Sequence, residues 1–346
     1  MTFLNGCFCA SVADLRRQVQ PSPDIQALDS LGRDLIQRAY ADSTQRNLNS
    51  HIKIYMTFCE AVSSAPFPVT VKLITRYIAY LVSLGRVYVT ILNHLSSIKH
   101  LHKLLGHDLT WDSDYRYQLL LRGVKRYLGT AVKRKDPITP RLLLRIAHFF
   151  DFDNPLHVAM WALFLVAFYS FLRKSNLVVD RAAHVSPKVL LRSDLCFDAS
   201  FAYLTIRASK TIQFQERIFP LPLPRIPGSL LCPVAALVNH LRINQVPQDM
   251  PLFSIRSNSS LRHITYTHFS SFLARVIKAV GLDSTSYSPH SFSGATFAFE
   301  AKVPSELIKA QGDWRSDWYL IYLEMTDRQK RAAATRMAAA ISHIAV

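Results

Sequence analysis

The stretch "SPHSFSGATFAFEAKVPSELIKAQGDWRSDWYLIYLE", residues 288–324, carries the residues that decide the fold. Pro289 and His290 precede a run of small and aromatic residues that can wind a helix. One helical turn places His290 and residue 293 on the same face. Many phosphate-handling sites use this spacing for a histidine and an arginine, but residue 293 is a serine here. The stretch is therefore either a phosphate site that lacks one cation or the ordinary start of a helix.

The charge of the whole chain favours a polyanionic partner. Its 346 residues include 41 Lys and Arg against 24 Asp and Glu, which gives a net charge of +17. Such an excess is typical of proteins that bind nucleic acid, and an anionic membrane is the second choice. A basic globular protein without a specific partner is the alternative. The length allows two domains with sizeable cores, and an apolar content of 49% excludes a wholly disordered chain.

Cysteine spacing and apolar runs exclude several other classes. The five cysteines form no Cys-x-x-Cys pair, so we expect neither a zinc ribbon nor a disulfide framework, and no metal site. Reduced thiols fit a nuclear or cytosolic protein. The longest apolar run, residues 159–172, is interrupted and too short to span a bilayer. The start "MTFLNGCFCASVA" lacks a basic region, so we expect no signal peptide and no membrane association.

The N-terminal part of the chain is predicted to be a tail followed by a helical domain. Residues 1–28 are expected to be a disordered tail, and residues 29–128 a helical bundle. Asp42 and its neighbours offer N-cap side chains, and several of the later segments end on a glycine suited to a C-cap. The four predicted helices lie within 42–62, 70–85, 88–106 and 113–129.

Residues 129–139 are predicted to link two domains. They combine a charge run with prolines and have no apolar periodicity. Lys133, Arg134 and Lys135 are candidates for contacts with a phosphate backbone. A solvated linker is the alternative, because short charge runs usually face water.

Residues 140–330 are predicted to form a second, mostly helical domain with one small antiparallel sheet. "SDLCFD", "FAYLTIRAS" and "ERIFPLPL" alternate or carry β-branched and aromatic residues between turn-like segments, as strands do. Residues 331–346 are rich in alanine and favour a helix. The predicted fold class is therefore mainly α with a small antiparallel β-sheet. The sequence contains no GxGxxG, P-loop or HExxH motif.

Four separate stretches of this second domain carry candidate site residues. They are "SFLRKSNLV" with Arg173 near the end of a predicted buried helix, "RASKTIQF" with Lys210 on a predicted hairpin turn, "SPHSFSGATFAF" with His290, and "QGDWRSDWYLIYLE" with Trp314, Tyr319 and Tyr322. Taken singly, each residue has an ordinary structural interpretation, such as a helix-terminal cation, a solvated lysine or a core aromatic.

The order and surroundings of all four stretches resemble the tyrosine recombinase (phage-integrase-like) family. The nearest subgroup is the integrases of eukaryotic mobile elements of the DIRS and Crypton types. "FYSFLRKSNL" looks like the first arginine box of the family, and residues 288–324 look like its second box running to the nucleophile. "ADSTQRNLNSHIKIYMTFCEA" is similar to the family's helical, SAM-like core-binding domain. The resemblance covers residues 29–330 and implies a catalytic domain of the DNA breaking-rejoining fold.

The resemblance implies strand exchange through a 3′-phosphotyrosine link, without ATP, metal or another cofactor. Tyr322 is then the nucleophile, and Arg173 pairs with the non-bridging phosphate oxygens. Lys210 is the general acid for the leaving 5′-oxygen, and His290 assists proton handling or hydrogen-bonds the phosphate. Trp314 lies where the family has His or Trp, and its indole N–H can donate to phosphate.

The nucleophile has a second candidate in Tyr319. It lies five residues after Trp314, whereas Tyr322 lies eight residues after it. The two tyrosines are one helical turn apart and can share a face. The resemblance favours Tyr322, because of its distance along the chain and the apolar residue that follows it.

The departure from the family pattern is Ser293, where the second box of the family has arginine. No arginine follows His290 before Arg315, which can substitute only from the next loop. Loss of one preorganised donor typically lowers a rate by about 10²–10³. The resemblance therefore leaves two functions open: an active or impaired recombinase, and a DNA-binding derivative of a mobile-element integrase that no longer cleaves. A helical interaction protein without a nucleic-acid role is a third hypothesis.

Double-stranded DNA is the expected partner under the first two hypotheses. In the helical domain and the linker, the expected DNA contacts are Arg46, Arg122, Lys125, Arg126, Lys133, Arg134 and Lys135. In the family a terminal helix often docks on a neighbouring protomer, so residues 331–346 are expected to hold a homotetramer on DNA; packing on their own domain is the alternative. The expected location is the nucleus.

Overall fold

Helices account for all regular structure among the described residues of the first part of the chain. The computed structural model describes residues 24–130, 135–181, 185–214, 216–257, 260–292, 294–314 and 335. The chain divides into two compact units, which we call unit 1, Met1–Val132, and unit 2, Lys133–Val346. The helices described in unit 1 are α1 Ile25–Arg38, α2 Asp42–Ala61, α3 Val71–Ser83, α4 Tyr88–Leu104 and α5 Tyr115–Leu128.

Helix termini in unit 1 follow the capping chemistry of the sequence, with two differences. The carboxylate of Asp24 accepts from the backbone N–H groups of residues 26 and 27, so α1 begins inside the predicted tail 1–28. Helix α2 begins at Asp42 and has Ala41 at its N-cap, with no side-chain cap hydrogen bond, so the N-cap lies one residue before the capping residues expected from Asp42 onwards. Gly85 and Gly106 have φ angles of 68° and 78°, as expected for glycines that end helices.

Two histidines of unit 1 lie with their rings close together and tilted by 33°. The rings of His51 and His94 are 4.1 Å apart between centroids. His94 Nδ1 lies 2.8 Å from the Tyr77 hydroxyl, and His51 Nδ1 lies 2.8 Å from the Ser97 hydroxyl. Burial, with smaller contributions from the positive charges of His51 and Arg86, lowers the pKa of His94 to about 4. Burial also lowers the pKa of His51. Unit 1 therefore folds around a neutral histidine pair.

We expect acid to destabilise unit 1 through this pair. In the unfolded chain His94 takes up a proton below about pH 6.5, whereas in the folded chain it takes up a proton only near pH 4. The stability contributed by neutral His94 is therefore present above pH 6.5 and lost as the pH falls towards 4, by about 1–2 kcal/mol between pH 7 and 5. Pulse proteolysis in urea, with unit 1 peptides followed by mass spectrometry, measures this loss in the full chain. A His94→Asn variant, which keeps a partner for the Tyr77 hydroxyl, should lose less stability over this range; an unchanged pH dependence would contradict the assignment.

Along the sequence of unit 2, helices both precede and follow the strands. Its helices are α6 Pro140–Ala147, α7 Pro155–Ser170, α8 Lys174–Leu177, α9 Pro233–Asn244, α10 Tyr266–Ala279, α11 Gly294–Glu300 and α12 Ser305–Gln311. Short 3-10 turns occupy Arg192–Asp194, Ser284–Ser286 and Pro289–Ser291. Helix α7 is the centre of the core, because every residue from 158 to 168 is buried. Its composition is apolar on all faces, as a helix packed on all sides requires.

A three-stranded antiparallel sheet lies between α8 and α9 in sequence. Its strands are β1 Leu195–Phe197, β2 Phe201–Ile206 and β3 Phe219–Pro224, in the order β1-β2-β3. Strand β3 reads "FPLPLP", with prolines paired opposite residues 201, 203 and 205 of β2. Proline has no N–H, so the amides that bond β2 come from Phe219, Leu221 and Leu223, and the prolines fit an edge strand.

Unit 2 also has a second sheet that the sequence did not predict. Strands β4 Ser254–Ser257 and β5 Ser260–His263 form an antiparallel pair. Their sequences, "SIRS" and "SLRH", lack the run of β-branched and aromatic residues that identifies strands. The structure therefore adds a second small sheet to the one predicted, and the mainly helical class with small antiparallel sheets is confirmed. Among the described helices, none is both long and apolar enough to span a membrane.

Candidate active site

Arg173 lies just beyond the end of the buried helix α7. The helix ends at Ser170, and Phe171 takes a left-handed conformation with φ 53° that turns the chain. Arg173 then occupies the N-cap of α8 and is half-buried, and its carbonyl accepts from the N–H of Asn176 at 2.9 Å. Arg173 was predicted near the end of a buried helix, and it lies three residues after that helix ends.

Asn176 joins the Arg173 segment to the strand connection that carries Lys210. Its side chain is buried, and its Nδ2 donates to the carbonyls of Lys188 at 3.0 Å and Ala208 at 2.8 Å. A buried amide with both N–H groups satisfied fixes its neighbours firmly. Sequence reasoning missed Asn176, since its role depends on carbonyls 12 and 32 residues away.

Lys210 lies in the connection between β2 and β3, residues 207–218, which we call the Lys210 loop. The Ser209 hydroxyl accepts from the N–H groups of Thr211 at 3.0 Å and Ile212 at 3.1 Å. The N–H of Ser209 donates to the carbonyl of Ile212 at 3.0 Å. These bonds form a tight turn with Lys210 exposed at its tip, between the buried Ser209 and the half-buried Thr211.

His290 lies on the 3-10 turn Pro289–Ser291, next to a cation from the Arg173 segment. The turn is held by Ser288, whose hydroxyl accepts from the N–H of His290 at 3.2 Å. Part of the His290 residue is exposed to solvent, yet crowding by protein atoms lowers its pKa, and the positive charge of Lys174 lowers it further. Lys174 Nζ lies 3.3 Å from the centroid of the Tyr266 ring, a cation–π geometry. Sequence reasoning missed Lys174, which directly follows Arg173.

Packing joins the His290 and Trp314 segments to the end of α7. Gly294 lies so close to α7 that an added Cβ would be 2.0 Å from the carbonyl oxygen of Phe168. Trp314 is half-buried and stacks on Phe171, with ring centroids 6.1 Å apart. Gln311, at the end of α12, donates to the carbonyl of Tyr169 at 3.2 Å.

Four predicted site residues are thus joined by direct contacts of their segments, although 141 positions separate Arg173 from Trp314 (314 − 173). The Arg173 segment contacts the Lys210 loop through Asn176 and contacts Trp314 through Phe171. The stretch that carries His290 packs against Phe168 and Phe171 at Gly294. The candidate nucleophiles Tyr322 and Tyr319 lie outside the described residues, as do Ser293, Arg315, Lys133 and Arg134.

The predicted DNA contacts of unit 1 lie on its surface. Arg122, Lys125 and Arg126 are exposed on α5, at positions that share one helix face, and α5 contains no acidic residue. Arg46 is exposed on α2. Sequence reasoning missed a groove between α3 and α5, whose cations are Lys72, Arg76 and Arg116.

Lys135, the described member of the linker cations, belongs to unit 2. It is exposed, and its ammonium donates to the carbonyl of Thr285. The residues after it pair with the segment before α11: the N–H of Asp136 donates to Ser286 and that of Ile138 to Ser291, both at 2.8 Å. Over the described ranges, no three His, Cys, Asp or Glu side chains gather as metal ligands would.

Comparisons with solved structures identify the fold as that of tyrosine recombinases and integrases. The Tn1549 transposon integrase in complex with circular intermediate DNA is 15% identical, with a TM-score of 0.57 over 88% of this chain and 97% of that one. A λ integrase dimer bound to a COC′ core site is 19% identical, with a TM-score of 0.55 over 86% of this chain and 76% of that one. XerH recombinase in a post-cleavage complex with palindromic difH DNA is 13% identical, with a TM-score of 0.54 over 78% and 72%. No protein-family model and no curated protein matches the sequence.

Proposed function

We propose that this chain is an integrase-type tyrosine recombinase that breaks and rejoins double-stranded DNA, related to the integrases of DIRS-type and Crypton elements. The observation that carries the proposal is the set of contacts that join the segments of Arg173, Lys210, His290 and Trp314, which are distant in sequence. The shared fold supports it, because the neighbours with that fold include integrases and a recombinase bound to DNA.

The chemistry assigned to these residues is a transesterification at phosphorus. The Tyr322 oxygen forms a bond to phosphorus while the bond from phosphorus to the 5′-oxygen breaks. The tyrosine proton leaves to a base, with His290 assisting, and the 5′-oxygen receives a proton from the Lys210 ammonium. Arg173 neutralises the non-bridging oxygens of the phosphorane, and the Trp314 indole N–H donates to the same phosphate. Reversal by a 5′-hydroxyl of another strand rejoins the DNA.

Lys174 gives the site a cation that compensates in part for the absence of arginine at position 293. Its charge acts on His290, the residue that the second box of the family pairs with arginine. A lysine ammonium is a point charge without the bidentate fork of arginine, so we expect weakened rather than abolished transition-state stabilisation.

The direct test uses a suicide DNA substrate, in which the cleaved end is lost and rejoining cannot occur. The recombinase hypothesis expects a covalent protein–DNA adduct with a free 5′-hydroxyl. The second candidate function, a DNA-binding derivative that no longer cleaves, is favoured by Ser293 and expects binding without adduct. Absence of DNA binding near physiological salt would refute both and favour the helical interaction protein.

Binding should depend steeply on salt, since the exposed cations of unit 1 displace counterions from DNA. Replacement of Arg122, Lys125 and Arg126 by Gln should reduce the slope of log K against log salt by about 2–3, because each phosphate contact contributes about 0.9. Fluorescence anisotropy with one duplex at several salt concentrations measures this slope. An equal loss of affinity at every salt concentration would show that these residues do not contact phosphate.

A Ser293→Arg variant separates an impaired recombinase from a binder without chemistry. We expect cleavage of the suicide substrate to rise by about 10²–10³, since the variant adds a charged donor three positions after His290 in sequence. Thr285→Arg is the control, because it adds the same charge eight positions before Ser293 (293 − 285). Equal effects of the two variants would show that the gain comes from general attraction to DNA.

We further propose that residues 331–346 hold a homotetramer on DNA and that the protein acts in the nucleus. Deletion of residues 330–346 should then reduce assembly on DNA and leave folding of the monomer intact. An unchanged assembly state, measured by light scattering of the DNA complex, would count against this role.

A further inference from the structure

Asp313, the residue before Trp314, makes contacts that the chemistry above does not use. Its side chain is buried, with 8% of the side-chain surface exposed. One carboxylate oxygen, Oδ2, accepts from the hydroxyls of Ser209, at 3.3 Å, and Thr211. The other oxygen, Oδ1, forms an ion pair with the guanidinium of Arg217. All three partners belong to the Lys210 loop.

The two hydroxyl donors flank Lys210 on both sides in sequence. Ser209 and Thr211 also contact each other, with hydroxyl oxygens 2.8 Å apart, and the Ser209 hydroxyl accepts the backbone N–H groups that shape the turn. The Thr211 hydroxyl reaches the carbonyl oxygen of Asp313 at 3.1 Å as well. The carboxylate therefore holds the turn that presents Lys210 rather than the lysine itself.

The backbone of Asp313 has a strained conformation in addition to the side-chain contacts. Asp313 follows the end of α12 in a left-handed conformation, with φ 48°. Glycine or asparagine usually fills this position after a helix. An aspartate at a left-handed position persists when the surrounding structure compensates, and its carboxylate partners supply that compensation here.

We propose that Asp313 is a positioning residue for Lys210. Its carboxylate fixes the Lys210 loop to the turn that carries Trp314, so that the general acid Lys210 and Trp314 are placed together. The inference rests on the proposed function for the role of Lys210, whereas the anchoring of the loop is independent of it.

The anchoring is tested by hydrogen exchange on the full chain. An Asp313→Asn variant keeps the size of the side chain and loses the charge that pairs with Arg217. We expect backbone amides within 207–218, those of Thr211 and Ile212 above all, to exchange about tenfold faster or more, with the rest of unit 2 unchanged. Asp198→Asn is the matched control: this carboxylate accepts from Ser200 and Phe201 at the other turn of the same sheet. Unchanged exchange in Asp313→Asn, or an equal change in the control, would overturn the proposal.

The action on Lys210 is tested with two suicide substrates. One has the natural 5′-oxygen leaving group, and the other has sulfur in its place, which leaves as a thiolate and needs no general acid. Asp313→Asn and Lys210→Ala should each cleave the oxygen substrate about 10²-fold more slowly and recover on the sulfur substrate. Arg173→Ala should remain slow on both. Equal slowing of Asp313→Asn on the two substrates would refute a role through Lys210.

A milder variant covers the case in which Asp313→Asn does not fold. Thr211→Val removes one hydroxyl donor, keeps the shape of the side chain and leaves the pair of Asp313 with Arg217 in place. It should change exchange and cleavage in the same direction by a smaller factor, and an effect on both substrates alike would again count against the proposal. If the parent chain forms no adduct with either substrate, the proposed function fails, and hydrogen exchange alone decides whether Asp313 anchors the loop.

Discussion

A Tyr322→Phe variant should form no covalent adduct with DNA and should bind the same DNA as tightly as the parent chain. Phenylalanine keeps the ring and removes the oxygen assigned to attack phosphorus, so the first chemical step loses its nucleophile. No partial activity is expected, in contrast to the loss of a stabilising donor, which leaves a slower reaction. The measurement is adduct formation with the suicide substrate, read by denaturing electrophoresis.

Tyr319→Phe is the matched control, because this tyrosine lies three positions earlier in the same segment. It should retain adduct formation within a few-fold. If Tyr319→Phe abolishes the adduct and Tyr322→Phe does not, the nucleophile is Tyr319. If both single variants retain it, the attacking group lies elsewhere in the chain.

The second large effect is expected at Gly294, where the active site depends on a close approach of backbone to backbone. In Gly294→Ala the new methyl carbon would lie 2.0 Å from the Phe168 oxygen and 2.6 Å from a ring carbon of Phe171. The oxygen belongs to the backbone of the buried helix α7, which cannot move aside as a flexible side chain can. We expect unit 2 to lose about 3 kcal/mol or more of its free energy of unfolding.

The control for Gly294→Ala is the same substitution at Gly123. Gly123 lies inside α5, where an added Cβ meets no atom within 4 Å, so alanine should stabilise that helix by about 0.5–1 kcal/mol. Urea unfolding of the full chain, with unit 1 and unit 2 peptides followed separately, distinguishes the two effects. If Gly294→Ala leaves the free energy of unfolding of unit 2 unchanged, then Gly294 of α11 does not lie this close to the backbone of α7.

The sequence predicted the elements with strong local signals. The three strands of the first sheet and the helix that ends before Arg173 carry unbroken apolar or alternating patterns over several residues. Strands β4 and β5 were missed because each has only one strongly apolar residue in its four positions. Their pairing depends on neighbours in space rather than on their own composition.

The candidate site also contains two kinds of residue: those that the sequence identifies by type and those that only tertiary contacts identify. Arg173, Lys210, His290 and Trp314 were found through sequence resemblance, which depends on residue types in order. Asn176, Lys174 and Asp313 were not, since an amide, a second cation and a carboxylate have no functional signature until the partners facing them are known. Asn176 and Asp313 hydrogen-bond to the Lys210 loop, and the charge of Lys174 acts on His290.

The prolines of β3 restrict how copies of this chain can associate. Every second residue of this strand lacks an N–H, and β3 lies at one end of its sheet. A neighbouring chain that approached this edge as an extra strand would find carbonyl oxygens but no backbone donors to pair with. Continuous sheets across protomers are therefore disfavoured on this side, and copies of the chain that meet at this edge have to contact each other through side chains rather than through backbone hydrogen bonds.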